Sequence, residues 1–309
     1  MTSNTLHITN GSVLTERLKV LQFSGVFLTW HEMLCEGPTD LLVDTDAFIE
    51  KREQFLSSYY NLEYKRNEFK SEIDKLNHLD DYDEIVLWFE YDLFCHINLI
   101  AIIYQLLAKN NTTPVSLVCS GRVENEKGLK AIGELKSFQL KNHYKNRVIL
   151  YESDLELAKT CWEIYNSKDH NKFKPLIVTS SSFEYLTNCL KAHLRRFPDS
   201  RSGLSTLEFN IIKLVKNNNI KSLHHLLGYA LHYQGFYGFG DIQLKRIIDK
   251  LSPFFTITEE QVTVNREGNL VLNHLKNVHN QLENDLIFGD VNKYDYYFNK
   301  KENKLIKTV

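Results

Sequence analysis

Glu90 and Asp92 stand two residues apart at the end of an apolar run, Glu84 to Phe89, that has the character of a β-strand. A long apolar stretch with helical spacing follows at once. Two such carboxylates can hold Mg²⁺, accept hydrogen bonds from a sugar, or act as general base and acid once their pKa values are split. In an open parallel sheet, ligands bind beyond the carboxyl ends of the strands. Positions 90 and 92 share a side if the strand runs that far. His96, one helical turn beyond Asp92, can complete such a site or sit at the surface. The competing role for Asp92 is to N-cap the next helix, where a carboxylate accepts backbone N–H bonds and suits the dipole. A cap leaves Glu90 unexplained.

Asn10-Gly11-Ser12, after a short strand, combines a turn glycine, a hydroxyl and a helix start. Those are the parts of a small phosphate loop, or of an ordinary helix capped by Ser12. The chain has no GxGxxG at this point and no GxxxxGK[ST], so neither a dinucleotide fold nor a P-loop NTPase is implied. His31, Glu32 and Glu36 close a second strand. His31 and Glu32 point to opposite faces, so at most one shares a pocket with Asn10; Glu32 and Glu36 stand as candidate ligand contacts.

Further along, HLRRFPDSRSGLS at 193–205 carries Arg195, Arg196 and Arg201, guanidinium groups suited to phosphate or to docking on an acidic surface. A helix over 242–251 presents Gln243, Lys245, Arg246 and Lys250 as its expected exposed polar face. In a winged helix it would be the recognition helix, better suited to phosphates than to bases. Asp241 is expected to cap it, and His224 and His225 are read as structural. No Ser/His/Asp or Cys/His set can be assembled from order along the chain alone.

These residues need elements to position them. Strands are expected at 6–9, 25–34, 84–89 and 114–120, alternating with helices at 13–22, within 45–78, and at 93–109. That alternation argues for a parallel sheet. Residues 146–152 read as strand or extended linker, and helices follow near 153–167 and 180–195. Ser205 with Glu208 forms a capping box opening helix 206–216. Helix 222–233, the loop GFYGFGD and helix 242–251 come next. Two β-like pieces, FTITEEQVTV and NLVLN, then flank a wing turn at Arg266-Glu267-Gly268. A last hairpin is expected over 285–309. The expected class is α/β: an N-terminal open, mostly parallel sheet with flanking helices over 1–152, a helical connector and basic linker over 153–204, and a C-terminal winged-helix-like α+β domain over 205–309.

With 309 residues, 43% of them hydrophobic and 25% charged, the chain has material for more than one core and is not a disordered composition. The start, MTSNTLHITNGS, lacks the regions of a signal peptide, and no apolar run spans a bilayer, so a cytoplasmic location without membrane contact is expected. Five scattered cysteines have no zinc spacing and are expected as reduced thiols, with Cys119 the one whose exposure matters most. The net charge of −2 hides a division. Residues 31–92 hold six Lys/Arg against seventeen Asp/Glu, a net of −11, and residues 191–252 hold ten against four, a net of +6. Such asymmetry fits a nucleic-acid-facing half, or two halves that attract each other.

Several segments together resemble an uncharacterised bacterial family, domain of unknown function 1835, with its usual C-terminal extension. They are LHITNGSVLTERLK at 6–19, WHEMLCEGP at 30–38, VLWFEYDLFCHINLI at 86–100, HLRRFPDSRSGLSTLE at 193–208 and FGDIQLKRI at 239–247. The similarity covers most of the chain. An Asp follows Asn-Gly in the family pattern where this chain has Ser12, which puts any metal or ligand role of that Asp in doubt here. The resemblance brings positions and no activity. The leading expectation is a binding or regulatory protein. Its α/β domain would take a small phosphorylated or nucleotide-like ligand, and its winged-helix-like domain would touch nucleic acid or a protein. One alternative is a metal-assisted hydrolase or transferase, in which Glu90 and Asp92 hold the metal while Asn10 and Ser12 hold phosphate. The other is a scaffold whose acidic and basic halves clasp each other without a ligand.

Overall fold

A computed structural model describes residues 4–308. Strand β1 (Thr5–Asn10) leads through α1 (Ser12–Val20) to β2 (Val26–Trp30), which pairs with it in parallel. The two-residue β3 (Gly37–Pro38) and helices α2 (Asp46–Tyr60) and α3 (Arg66–Asp74) precede β4 (Glu84–Phe89). Helix α4 (Leu93–Ala108) and β5 (Val115–Cys119) continue the alternation. Strand β4 lies on the other side of β1 from β2, so the order β2-β1-β4-β5 reverses direction between β1 and β4. That reversal is a topological switch point, where an α/β sheet opens a crevice at its carboxyl edge.

The hairpin β6 (Gly121–Arg122) with β7 (Leu129–Lys130) follows, then α5 (Ser137–Lys145) and β8 (Val148–Ile149). Strand β8 adds antiparallel to β5 and closes that edge, which makes the sheet mixed but mostly parallel. Helices on both faces complete an α/β fold. Leu18 of α1 and Leu140 of α5 cover Val86, Trp88 and Val118 on one face, while Ile85, Leu87 and Phe89 join the main core on the other. Alternate residues of β4 thus serve both cores, which explains why the strand is apolar from Ile85 onward.

Helix α4 is buried nearly all round, packed between the sheet and helices α6 (Glu152–Tyr165) and α8 (Leu186–Leu194), with the short α7 (Phe173–Leu176) between those two. The remainder holds α9 (Thr206–Asn217), α10 (Leu223–Tyr233) and α11 (Asp241–Lys250), then a hairpin of β9 (Phe255–Ile257) and β10 (Val262–Val264). Ile220, between α9 and α10, bridges to Val262. The Ser205–Glu208 capping box forms as expected. The wing turn does not lie at 266–268. Those residues begin α12 (Arg266–Leu272), capped by Asn265, so NLVLN is mostly helix and the hairpin turns instead at 258–261. A 3.6-residue pattern of Leu and Val, capped by Asn, prevails over their β-propensity.

After α13 (His279–Leu282), strand β11 (Ile287–Gly289) pairs with β12 (Val291–Asn292), and on its other side runs parallel to β3. The expected terminal hairpin forms from β13 (Tyr296–Asn299) and β14 (Lys304–Lys307). The largest apolar cluster draws members from before residue 152, from 153–204 and from beyond 205. No helix among the described residues is long and apolar enough to cross a membrane.

Candidate functional site

Strand β4 delivers Glu90 and Asp92 to the carboxyl edge beside the switch point. Asp92 is the N-cap of α4: its Oδ1 accepts from the Cys95 N–H at 2.8 Å. The other free N–H groups of the first turn are used by the loop after α10. Leu93 donates to the Phe236 carbonyl at 2.8 Å and Phe94 to that of Tyr237 at 3.2 Å. This helix start therefore has no open anion site, since its orphan donors are all satisfied.

The Oε1 of Glu90 accepts from the Ile132 N–H at 2.9 Å. Burial, followed by the charge of Asp92, pushes its carboxyl up to about 7, and burial raises that of Asp92 to about 6. Two acids that hold protons near neutrality can exchange them with a bound group. Donor atoms of Glu90, Asp92 and Cys95 all lie within 4.8 Å of one another, close enough to share a cation. His96 donates through Nδ1 to the Asp92 carbonyl, 3.0 Å away, while its buried Nε2 has no partner and burial pushes its pKa down to about 4. The Ser120 Oγ is also buried without a partner. Ser120 follows Cys119, the register partner of Phe89, so it sits level with Glu90 on the neighbouring strand.

Asn10 ends β1 across the switch point. Its Nδ2 donates to the Cys95 sulfur at 3.1 Å and its Oδ1 accepts from Asn98 at 3.0 Å. Asn98 also donates to the Glu32 carbonyl at 2.7 Å, so one buried amide ties together the ends of β1, β2 and α4. Sequence reasoning passed over Cys95 and Asn98. The available signal was an amide inside a largely apolar helix, since a buried polar group needs partners.

Gly11, not Ser12, occupies the N-cap of α1, with φ 103° and no side-chain cap. Ser12 is the first helical residue and is exposed, no acid lies in the first turn, and the space over Gly11 is open. Arg17 fastens α1 by donating to the carbonyls of Ile132 and Gly133 at 3.0 Å each, and to that of Leu135. Beyond β5, Arg122, Glu184, Tyr185, Asn188 and Phe236 border an open cleft of about 660 Å³. Tyr91 packs edge-on against both Tyr185 and Phe236, linking the cleft wall to the Glu90–Asp92 segment.

The remaining residues singled out in the sequence lie elsewhere. Glu32 is buried in an ion pair with Arg52 (3.0 Å) and accepts from the Tyr64 hydroxyl, so its carboxylate is engaged inside the protein. Glu36 is held by Arg246 at 3.0 Å and by the Tyr60 hydroxyl, and despite burial these partners keep its carboxyl below the usual range. The basic linker expected at 193–205 is a mostly buried turn. Arg196 is 3% exposed and donates to the Cys35 carbonyl, whereas Arg195 is exposed and Arg201 pairs with Asp199 at 3.5 Å. The polar face expected outside on α11 is largely inside. Gln243 is 1% exposed and accepts from the Gly240 N–H at 3.2 Å. Lys250 lies 3.6 Å from Glu208, and Lys245 alone of the four faces solvent. Asp241 is the first residue of that helix, Gly240 being the cap. The hairpin turn after it reads Thr258-Glu259-Glu260-Gln261, acidic rather than basic.

All five cysteines are free, four of them buried and Cys119 half-buried. No protein-family model matches the chain, and no curated protein matches it.

Proposed function

We propose that this chain, as a member of the uncharacterised family it resembles, binds a small phosphorylated, nucleotide-like molecule at the switch point between β1 and β4. The phosphate meets the N–H groups of the first turn of α1, and the organic part lies toward the cleft bordered by Tyr185 and Phe236. The observation that carries this is the uncapped, unobstructed start of α1 at Gly11. No side chain caps the helix and nothing lies within 4 Å of a Cβ built at Gly11, at the sheet edge where such ligands collect, and the dipole favours an anion there. Adjacent strands are about 4.8 Å apart, so α1, Glu90 and the cleft span roughly two strand spacings, the reach of a nucleotide. The cleft volume suits a small organic group.

In this reading the C-terminal helices close the site. Three helices, a hairpin and the Ile220–Val262 bridge have the order of a winged helix. The third helix turns Gln243, Arg246 and Lys250 toward the rest of the chain, which makes it an internal protein contact and leaves no basic recognition face. Part of the clasp between acidic and basic halves is the Glu36–Arg246 pair.

A second reading, a metal-assisted hydrolase or transferase, is favoured by the grouping of Glu90, Asp92 and Cys95. A thiol among the donors suits zinc better than magnesium. Thermal shift separates the two. Inorganic phosphate and nucleoside phosphates should raise Tm where the bare nucleosides do not. A shift with Zn²⁺ or Mn²⁺ alone that disappears in Glu90→Gln would favour the metal reading. No shift with any of them would overturn both.

A further inference from the structure

Residues from three parts of the chain line a small cavity of about 20 Å³, the room of one water-sized occupant. Its charged lining consists of Glu36, Arg196, Glu208, Arg246 and Lys293. Glu36 pairs with Arg246 at 3.0 Å and Glu208 with Lys293 at 2.6 Å. Arg196 is left over. Its donors reach the Cys35 carbonyl and the His193 Nδ1, the latter at 3.5 Å, and its guanidinium lies 3.6 Å from the centroid of the Phe288 ring. The carboxylate it acts on is Glu36, which Arg246 already engages. Three cations against two carboxylates leave the lining one positive charge in excess. Lys250 stands just behind the wall, 3.6 Å from the same Glu208 oxygen that Lys293 uses.

An uncompensated charge is costly in such surroundings, because apolar groups such as Phe239 and Leu286 complete the wall and screen it from water. A water molecule in the cavity satisfies hydrogen bonds and leaves the charge. A monovalent anion does both.

We infer that this cavity is a binding site for one small inorganic anion of halide size, held by Arg196 and Lys293 where the α/β layer meets the C-terminal helices. Burial first, and then the charge of Lys293, brings Lys250 down to about 7. Glu36 comes from the loop after β2, Arg196 from the turn after α8, Arg246 from α11, and Lys293 from the turn after β12. An anion here would therefore fasten the C-terminal helices onto the sheet layer.

The test compares the full chain in sodium chloride, sodium bromide and sodium gluconate at equal ionic strength. Chloride and bromide should raise Tm saturably over gluconate. The rise should be lost in Arg196→Met, which removes the excess charge while keeping the packing volume. It should persist in Ser12→Glu, which separates this site from the one proposed at α1. Crystals grown in bromide supply the direct measurement, whatever the stability of the variant: an anomalous peak inside the cavity supports the assignment. Equal Tm values in all three salts, or a cavity holding only water in bromide-grown crystals, would overturn it.

Discussion

Gly238 rests directly on the carboxylate of Asp92: a Cβ built at position 238 would overlap the Asp92 carboxyl group. The contact joins the loop after α10 to the start of α4, and explains why an acid at the edge of the sheet is sealed from water. Gly238 also has φ +67°, in the left-handed region that disfavours other residues. Gly238→Ala should therefore destabilise by about 2–4 kcal/mol, combining backbone strain with displacement of the loop. Gly240→Ala, two residues on, has nothing within 4 Å of its Cβ and an ordinary φ of −78°, and should stay within about 1 kcal/mol. Urea unfolding of the two variants checks the contrast, and equal losses would mean that Asp92 is not held from above.

Sealing has a consequence for pH. The folded protein keeps Glu90 protonated up to about 7 and Asp92 up to about 6, both above their unfolded values. A raised carboxyl pKa means that folding takes up a proton. The penalty from these groups is full above pH 7, and shrinks to nothing as the pH falls to the unfolded pKa near 4. Glu90→Gln removes the Glu90 share while keeping an oxygen for the Ile132 N–H. It should be more stable than the parent by roughly 1–2 kcal/mol at pH 8, with no advantage at pH 4. Denaturant midpoints at the two pH values measure the difference, and a constant offset would refute the proton uptake.

Local pattern carried much of this architecture, and partners far along the chain carried the rest. The strand ending at Phe89, the cap at Asp92 and the Ser205–Glu208 box were legible because each signal lies within a few residues. The polar face of α11 was misplaced for the opposite reason. Arg246 is half-buried because Glu36, 210 residues away, supplies its counter-charge, and no window on the sequence contains both. Arg196 inside the 193–205 turn is the same kind of case, its acceptor being a backbone carbonyl at Cys35. At the edge of the sheet, the Asn-Gly-Ser signal located α1 correctly, but which residue capped it depended on backbone angles at Gly11.

The buried pair of imidazoles settles its own tautomers. His170 Nε2 faces the Tyr165 carbonyl at 3.0 Å, so it must carry the proton, and its Nδ1 is then an acceptor. His193 Nε2, 2.9 Å from that Nδ1, must donate to it, which leaves the His193 Nδ1 bare toward Arg196. Burial lowers the pKa of His170 to about 4 and that of His193 well below its usual value. Stability from this pair is thus complete above the unfolded pKa near 6.5, and falls as the pH drops toward the folded values. Nitrogen-15 NMR should find both rings as the neutral Nε2–H form from pH 8 down to the acid transition. A charged ring at pH 6 would break the assignment.

Arg246 and Lys245 are adjacent on α11 and should behave oppositely. Arg246→Met leaves the Glu36 carboxylate, 2% exposed, without its ion pair, a loss of about 3–5 kcal/mol. Lys245→Met removes a solvent-facing charge and should change stability by no more than about 0.5 kcal/mol. The double variant Glu36→Gln with Arg246→Met should recover much of the loss, since no charge is then stranded. Chemical denaturation of the three proteins decides it. Equal effects at 245 and 246 would mean that α11 presents both side chains to solvent.

Ser12→Glu separates the fold from the ligand at the start of α1. Because that helix has no side-chain cap and no acid in its first turn, a carboxylate at position 12 interacts favourably with the dipole. The free protein should gain about 0.3–1 kcal/mol, seen as a higher midpoint in urea at low salt. The same negative charge would occupy the space that a phosphate needs, and would repel it. Phosphate or nucleotide stabilisation should therefore vanish in a protein that is itself more stable, which a general folding defect cannot imitate. Retention of the full ligand shift in Ser12→Glu would remove the phosphate from the first turn of α1 and return the search to the acids across the switch point.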